Sequence, residues 1–442
     1  MADVVPFKGI LYNPDKIDHI SHVVSPPYDV IPPEKQIELH HRHPQNVVRL
    51  ILGSAFETDT KADNPHTRSA AYFQSWMKDN ILIQDSTPSF YLTSVSFVAD
   101  GKKMTRYGLM ALVALEPFSK GIILPHEQTF SKVKSERLEL LKLCKANFSP
   151  IFTFYPDEEG FIHVLKDKSE KMAPVFDFED DVNERHRLWR ISDNKTIEKI
   201  HGFMKDKRLF IADGHHRYET ALNYRDGLKE NDPDFSDTHP ANFIMMYLCS
   251  MEDEGLVIFP AHRMVTQIDK AISDSFFDRA SEFFDLREIP FEKNGYDHAF
   301  SEMMTAIKKE TSGTVFGVSV KGRTSFDLLY LKPDVIDNAF DKSFPDVLKH
   351  LDVTVLTHLI FSRLLDISHE KMDEHGLINY SSKADQAVSQ VASGQAAMAF
   401  IMNPAKIKQV QDIAQSGLIM PRKTTYFYPK AITGLVMNKL TR

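Results

Sequence analysis

The sequence predicts a mixed α/β fold, and three observations lead to that class. Strand-like apolar runs and helix-like spacings alternate along most of the 442 residues. One apolar strand runs through Asp213-Gly214 directly into a helical pattern. The composition, 42% apolar and 26% charged, is that of an ordinary globular protein. At about 150 residues per domain, this length predicts two or three structural units.

The first half of the chain alternates helices and strands. Apolar residues at helical spacing predict a helix near 67–80, and period-two alternation predicts two strands, 89–98 and 104–114, around a turn at Asp100-Gly101. Leucine spacing predicts a helix over 131–144, which ends before a strand at 151–155. A strand-turn-helix unit is predicted over 208–229.

The second half predicts a small α+β insertion followed by renewed alternation. Residues 272–331 read as helix, strand, helix, strand, strand, and the tail as helix, strand, helix at 352–365, 396–402 and 405–415. Residues 317–324 match the phosphate-binding P-loop motif except that Arg323 stands where the motif has lysine. Strand patterns on both sides of this segment favour a hairpin turn instead. The predicted regions are an N-terminal α/β region at 1–115, a catalytic core at 116–270, the insertion at 271–345 and a C-terminal α/β region at 346–442.

Charge and cysteine content exclude several classes of protein. With 53 basic and 61 acidic residues the net charge is −8, which argues against a general nucleic-acid binder. No apolar run reaches the roughly 18–20 residues of a membrane span, and the amino end lacks a signal-peptide pattern. Two cysteines, Cys144 and Cys249, cannot form a disulfide framework. We therefore expect a reduced, cytoplasmic protein without nucleic-acid or membrane partners, while its oligomeric state stays open.

The segment 209–222 carries the strongest chemical signal. Its strand turns sharply at Gly214 into a helix, and a helix amino terminus attracts anions. His215, His216 and Arg217 stand at that same end and add donors and a permanent cation. A carboxylate beside a phosphate site is electrostatically unfavourable unless it binds Mg²⁺ or accepts a proton. Asp213 is therefore the best candidate for catalysis. The alternative is that Asp213 merely caps the helix.

Several segments resemble a known family. The string DGHHR at 213–217 is similar to the second box of the ParB/sulfiredoxin-like superfamily, and within it to free serine kinases. The whole chain resembles the domain-of-unknown-function family 1015 through segments 25–30, 64–68, 125–129, 147–151, 351–353 and 420–430. This resemblance implies a kinase that phosphorylates free L-serine, with inorganic diphosphate as donor and Mg²⁺ as cofactor.

The resemblance and the residue chemistry together define a candidate site. Glu127 resembles the acidic residue that serine kinases use with the turn aspartate, so Glu127 and Asp213 are expected to divide Mg²⁺ handling and hydroxyl activation. The expected phosphate-binding residues are Gly214, His215, His216, Arg217, Arg422, Lys423, Thr424 and Lys430. The expected substrate-binding residues are Tyr28, Asp29, Arg68, His126, Thr129 and Arg137. Asp29 is suited to the ammonium group of serine and Arg68 to its carboxylate.

Two alternatives remain at this point. One is a serine kinase that uses ADP or ATP as donor. The other is a ParB-like regulatory protein that binds nucleotide as a switch, which predicts a basic recognition helix that the sequence does not show. A sulfiredoxin-like redox enzyme would require a cysteine at the turn, where His215 and His216 stand instead.

Overall fold

The computed structural model describes residues 1–441 except 130, 293, 373 and 375. Its strands, in chain order, are β1 Val4–Val5, β2 Ile10–Tyr12, β3 Leu82–Gln84, β4 Phe90–Ala99, β5 Lys102–Ala114, β6 Ile123–Leu124, β7 Ala146–Asn147, β8 Ile151–Tyr155, β9 Phe176–Glu179, β10 Arg185–Ile191, β11 Leu209–Asp213, β12 Phe243–Ser250, β13 Val257–Phe259, β14 His262–Val265, β15 Phe284–Pro290, β16 Val315–Val320, β17 Ser325–Leu331, β18 Ile378–Ser381, β19 Met398–Met402, β20 Tyr426–Tyr428 and β21 Asn438–Lys439.

Helices connect most of these strands. In chain order they are α1 Pro33–Arg42, α2 Val48–Ile51, α3 Pro65–Lys78, α4 Ser131–Cys144, α5 Phe161–Ser169, α6 Asn194–Met204, α7 His215–Asn231, α8 Lys270–Ala280, α9 Tyr296–Lys309, α10 Val335–Ala339, α11 Asp346–Lys349, α12 Asp352–Val355, α13 His369–Met372, α14 Ala384–Ala392 and α15 Ile407–Gln415, with a π-helical stretch at Leu356–Leu364. The predicted mixed α/β class is confirmed. None of the helices, over the described ranges, combines the length and apolar character that a bilayer crossing requires.

The chain divides into two compact units. The first, unit 1, contains Met1–Val257 and returns for Phe427–Arg442, and the second, unit 2, contains Ile258–Tyr426. The end of the chain therefore completes the unit in which the chain begins.

Unit 1 is organised around a nine-stranded mixed sheet with the order β6-β11-β8-β12-β5-β4-β10-β9, and β1 pairs with β5. The pairs β6–β11 and β8–β12 are parallel and the others are antiparallel. Apolar side chains of α5, α6 and α7 cover one face of this sheet, with Leu165, Ile200 and Tyr218 among the buried contacts. This packing fixes β11 and α7, the two elements that hold the predicted anion turn.

Unit 2 is a six-stranded antiparallel sheet with the order β15-β17-β16-β19-β14-β18. Helices α9 and α14 bury Met303, Ile307 and Val388 against it. The predicted hairpin at 317–324 is confirmed, because β16 and β17 pair directly. Gly317 lies under α9, where a Cβ would come within 2.7 Å of the Met303 sulfur, and Gly322 has a φ of +84° in the turn. These glycines therefore serve packing and turn geometry.

Candidate active site

The strand-turn-helix unit forms as the sequence predicts. Strand β11 ends at Asp213, Gly214 turns the chain with a φ of +96°, and α7 starts at His215. The Gly214 conformation is one that L side chains rarely adopt, so the turn requires glycine. Gly214 is the N-cap residue of α7 and no side chain caps this end, so Asp213 does not serve as the helix cap. The Asp213 carboxylate contacts two cations instead.

Asp213 lies between a lysine and an arginine. Its Oδ1 accepts a hydrogen bond from the Lys430 ammonium at 2.8 Å, and its Oδ2 accepts one from Arg217 Nη2 at 2.6 Å. The three side chains are only 12–13% exposed. Burial alone would raise the pKa of Asp213, but Lys430 and Arg217 outweigh it and hold that pKa well below its usual value. The carboxylate is therefore ionised at neutral pH.

Arg217 is fixed from a second side. Its Nη1 donates to the Ser149 hydroxyl at 3.0 Å and to the Pro150 carbonyl at 2.5 Å, immediately before β8. The guanidinium thus joins Asp213 to the neighbouring strand, and its planar fork leaves little freedom of orientation. The sequence did not predict this role of Ser149 and Pro150, although both lie in one of the segments that carry the family resemblance.

Two buried histidines adjoin the turn. His215 Nε2 accepts the His126 backbone N–H at 3.3 Å, and the two rings meet edge to face with centroids 4.8 Å apart. With Nε2 accepting, the neutral His215 ring carries its proton on Nδ1, which faces Glu127 Oε2 at 3.7 Å. Burial lowers the pKa of His126 to about 4 and holds the pKa of His215 well below its usual value. Both rings are thus neutral at pH 7 and act through hydrogen bonds, with Arg217 and Lys430 as the cations of the site.

Glu219 of α7 contacts the segment that follows Glu127, and His216 lies one turn before Glu219 on the same helix. The Thr129 hydroxyl donates to Glu219 Oε2 at 2.6 Å, and the Lys134 ammonium donates to the same oxygen at 2.5 Å. His216 is half-buried, and its burial lowers its pKa. These contacts tie the segment after Glu127 to the first two turns of α7.

A cavity of about 70 Å³ opens beside Arg217. Its polar lining includes Tyr28, Arg137, Ser149 and Thr220, and the remaining walls are largely apolar. The Arg137 guanidinium lies 4.2 Å from the centre of the Tyr28 ring, and its Nη1 donates to the Ile51 carbonyl at 2.8 Å. Arg137 Nε and the Thr220 hydroxyl are buried without a hydrogen-bond partner. The cavity therefore offers unused polar groups next to Arg217.

Asp29 interacts electrostatically with Asp213, Arg217 and Lys430. Asp29 is exposed, but partial desolvation of its carboxylate together with the charge of Asp213 raises the pKa of Asp29, while Arg217 and Lys430 oppose the change. Desolvation also raises the pKa of Tyr28, against the effect of Arg217. Tyr28, Asp29 and Arg137 are thus close enough to Arg217 to interact with it electrostatically, and their binding of substrate stays a prediction.

For four further predicted residues the structure shows contacts within their own unit. Arg68 pairs with Asp59 at 2.8 Å and with Asp63 at 2.6 Å, so its guanidinium is already bound to carboxylates. Arg422, Lys423 and Thr424 belong to unit 2, whereas Lys430 of the same sequence segment belongs to unit 1. Within unit 2, Arg263 Nη2 donates to the Lys423 carbonyl at 3.3 Å, and the Thr424 hydroxyl donates to the Pro421 carbonyl.

A further acid-histidine group was not predicted from the sequence. Asp180, Glu184 and His186 present ligand atoms that all lie within 4.8 Å of one another, so they could hold a metal ion. His186 Nε2 lies 3.1 Å from Asp180 Oδ2, and the Tyr428 hydroxyl donates to Glu184 Oε1 at 2.5 Å. The spacing of three polar residues across a turn, at 180, 184 and 186, is the only signal that the sequence offers.

Comparison with protein-family models shows to which family the chain belongs. The family described as "Protein of unknown function (DUF1015)" matches residues 4–354. The chain belongs to this family. For this DUF1015 protein, a search of curated proteins found no match.

Several solved structures are distantly similar to the DUF1015 chain. A point mutant of a free serine kinase in complex with AMP has 13% identity and a TM-score of 0.34, and the match covers 73% of this chain and 89% of that one. A conserved hypothetical protein from Pyrococcus furiosus has 14% identity and a TM-score of 0.32, over 75% and 95% of the two chains. SbnI from Staphylococcus aureus, truncated at its C-terminus, has 8% identity and a TM-score of 0.32, over 73% and 85%.

Proposed function

We propose that this DUF1015 protein is a small-molecule kinase that transfers a phosphoryl group from inorganic diphosphate to the hydroxyl of free L-serine. The products are O-phospho-L-serine and orthophosphate. The observation that carries the proposal is the Asp213 carboxylate held between Lys430 and Arg217 at the amino end of α7. The choice of serine and diphosphate, and the relation of the turn to ParB/sulfiredoxin-like proteins, rest on the sequence resemblance.

The two cations suit a compact, highly charged donor. Phosphoryl transfer needs charge neutralisation and positioning more than covalent help from the protein. Lys430 and Arg217 converge on one carboxylate, and the backbone N–H groups at the start of α7 face the same end. Phosphate oxygens of the donor would replace part of this pairing and draw the Lys430 ammonium away from Asp213.

Asp213 then orients the acceptor hydroxyl. Because its pKa lies far below neutrality, Asp213 is a weak base and acts mainly by accepting the hydrogen bond of the attacking hydroxyl. In a loose transition state the hydroxyl proton leaves late, so orientation is the larger contribution. Arg217 keeps the carboxylate in place throughout, because Ser149 and Pro150 hold its guanidinium.

Magnesium fits Glu127 better than Asp213. Both Asp213 oxygens already accept hydrogen bonds from cations, whereas the Glu127 side chain is 43% exposed and therefore open to a solvated ion. Carboxylate oxygen is the ligand type that Mg²⁺ prefers, usually together with substrate phosphates and water. We therefore assign Mg²⁺ to Glu127, where the ion would neutralise donor phosphate charge. The His215 Nδ1 proton facing Glu127 orients that carboxylate.

We propose the cavity beside Arg217 as the binding site for the carboxylate and ammonium groups of the acceptor serine. Arg137 Nε is buried there without a partner, and a substrate carboxylate would satisfy it. Asp29 supplies the negative charge for the ammonium group. In this arrangement Arg137 takes the part that the sequence suggested for Arg68, whose guanidinium is already paired with Asp59 and Asp63.

Phosphorus NMR tests the proposal directly. The full-length protein is incubated with Mg²⁺, L-serine and either diphosphate, ADP or ATP, and we expect an O-phosphoserine resonance with diphosphate. Asp213→Asn should lower the rate by a factor of about 100 or more, because it removes the charge that orients the hydroxyl. Asp226→Asn, on the exposed side of α7, is the matched control and should retain the wild-type rate.

The donor series also separates the alternatives. Product with ADP or ATP and none with diphosphate would assign a nucleotide-dependent serine kinase. Absence of O-phosphoserine with all three donors would contradict the proposal, as would an Asp213→Asn variant as active as the wild type.

A further inference from the structure

Arg106 is an unusual cation of unit 1 because its side chain is almost fully buried, with 1% exposed. It lies on β5 in the interior of the nine-stranded sheet. No carboxylate among the described residues lies within 4 Å of its guanidinium nitrogens. Burial of a permanent cation without a counter-ion is strongly unfavourable, so the surroundings of Arg106 must compensate its charge.

Part of this compensation is present. Arg106 Nε donates to the Tyr247 hydroxyl at 3.0 Å, and the guanidinium lies 4.6 Å from the centre of the Phe152 ring. A cation above an aromatic ring is attracted to its face. However, Arg106 Nη1 is buried and has no hydrogen-bond partner. The guanidinium therefore keeps an unused donor in the interior of the protein.

The two carboxylates that influence Arg106 over a longer distance are engaged with other donors. Asp253 accepts the backbone N–H groups of Tyr107 at 3.0 Å and Gly255 at 2.7 Å. Glu184 accepts the Tyr428 hydroxyl at 2.5 Å. Neither satisfies Arg106 Nη1, so the charge of the guanidinium is balanced only partly and at a distance.

Arg106 lines a small cavity. The cavity measures about 20 Å³, and its lining includes His186 on the sheet and Lys430 on the C-terminal segment. Strand register places Arg106 opposite Val95, and Val95 opposite His186, so their side chains share the sheet face that residues 430–435 cover. Lys430 also lines the cavity, and its ammonium pairs with Asp213 at 2.8 Å. Two cationic side chains, Arg106 and Lys430, thus border the cavity, and Arg106 keeps one N–H group without a hydrogen-bond partner.

The size of the cavity limits its occupant. One water molecule needs roughly 10–15 Å³ in this measure, so about 20 Å³ holds one water or one monatomic ion. A polyatomic anion such as phosphate is too large. We propose that this cavity is a binding site for a chloride-sized monovalent anion, held by Arg106 Nη1 with Lys430 as the second positive charge. The anion would neutralise Arg106 and fasten residues 430–435 to the sheet.

Halide titration of the full-length protein tests the site independently of any kinase activity. Thermal unfolding is measured in sodium chloride and in sodium gluconate at equal ionic strength, because gluconate is too large for the cavity. Chloride should raise the Tm by about 2 °C once its concentration exceeds Kd several-fold. Arg106→Met should lose this difference. Arg187→Met is the matched control, because Arg187 packs over Trp189 on the opposite sheet face and its removal should leave the chloride effect intact.

Bromide diffraction gives a second readout that does not depend on the folding of Arg106→Met. Wild-type crystals soaked in sodium bromide should show an anomalous peak within hydrogen-bond distance of Arg106 Nη1. Equal Tm values in chloride and gluconate, a chloride effect that persists in Arg106→Met, or bromide peaks confined to the surface would overturn the proposal and leave a water molecule in the cavity. Since none of these measurements uses substrate, they hold whether or not the proposed kinase activity is found.

Discussion

At the scale of single residues, the buried side chain of His262 affects the stability of unit 2. The side chain is 2% exposed, and its Nδ1 accepts the Met402 backbone N–H at 3.2 Å. Burial, assisted by the neighbouring Arg263 charge, lowers the pKa of His262 to about 4. The folded protein thus holds this ring in its neutral form, and protonation would break the hydrogen bond to Met402 as well as charge the interior.

This pKa makes the stability of unit 2 depend on pH. The unfolded chain binds a proton at His262 near pH 6.5 and the folded chain only near pH 4, so the contribution is complete above pH 6.5 and is lost as the pH falls to about 4. At 1.36 kcal/mol per pKa unit the loss is roughly 3 kcal/mol. Urea unfolding followed by circular dichroism at pH 7 and pH 4.5 should show this decrease. His262→Gln should reduce the pH dependence, whereas His298→Gln, on an exposed position of α9, should not. Equal pH dependence in all three proteins would rule out the His262 assignment.

At the scale of elements, the β11–α7 turn depends on one glycine. Gly214 has a φ of +96°, and a Cβ there would lie 3.0 Å from the Arg217 guanidinium. Gly214→Ala should therefore cost about 1–3 kcal/mol of stability through backbone strain and should displace Arg217 from Asp213. Gly202→Ala is the contrasting control, since Gly202 is exposed in α6 with nothing within 4 Å of a Cβ. Alanine there should stabilise by about 0.5–1 kcal/mol. Urea unfolding of both variants measures the two effects, and equal behaviour would contradict the turn argument.

Elements that depend on local pattern were predicted well. The strand at 151–155 and the helix at 131–144 have the predicted bounds, and the helix-strand-helix-strand-strand order of the insertion is confirmed. The predicted helix at 352–365 is instead divided into α12 and a π-helical stretch at Leu356–Leu364. Helical spacing of apolar residues is nearly the same for both forms, so the pattern could not distinguish them.

The strand-turn-helix geometry of the candidate site was predicted, but the side-chain pairs within it were not. The turn, Asp213 and Arg217 are local in sequence, and their association follows from a strand that runs into a helix. Lys430 lies 217 positions from Asp213, and it was predicted as a phosphate-binding residue without this pairing. Contacts over such separations depend on how the chain returns to its first unit, and local periodicity carries no information about that return. Arg106 was missed for the same reason, because its burial depends on the strands and the C-terminal segment around it.

At the scale of the whole molecule, the chain returns to unit 1 after unit 2. Residues 427–442 bring Lys430 to Asp213. The same segment forms two isolated β-bridges with the start of the chain, one between Thr433 and Ser25 and one between Met437 and Ile10. Strand β21 then pairs with β7. The unit in which the chain begins is therefore completed only by its last residues.

Removal of the C-terminal segment should consequently unfold unit 1. The side chains of Phe427, Leu435, Val436 and Met437 are at most 2% exposed, and each contributes roughly 2 kcal/mol by burial. Together they approach the net stability of a domain, about 5–15 kcal/mol. A chain that ends at Tyr426 should lose the cooperative thermal transition of unit 1 and become sensitive to limited proteolysis within residues 1–257. The full-length Lys430→Met variant separates charge from packing, because it retains these apolar contacts and should keep a cooperative transition at a lower temperature. If the shortened chain melts like the wild type, the C-terminal segment does not complete unit 1.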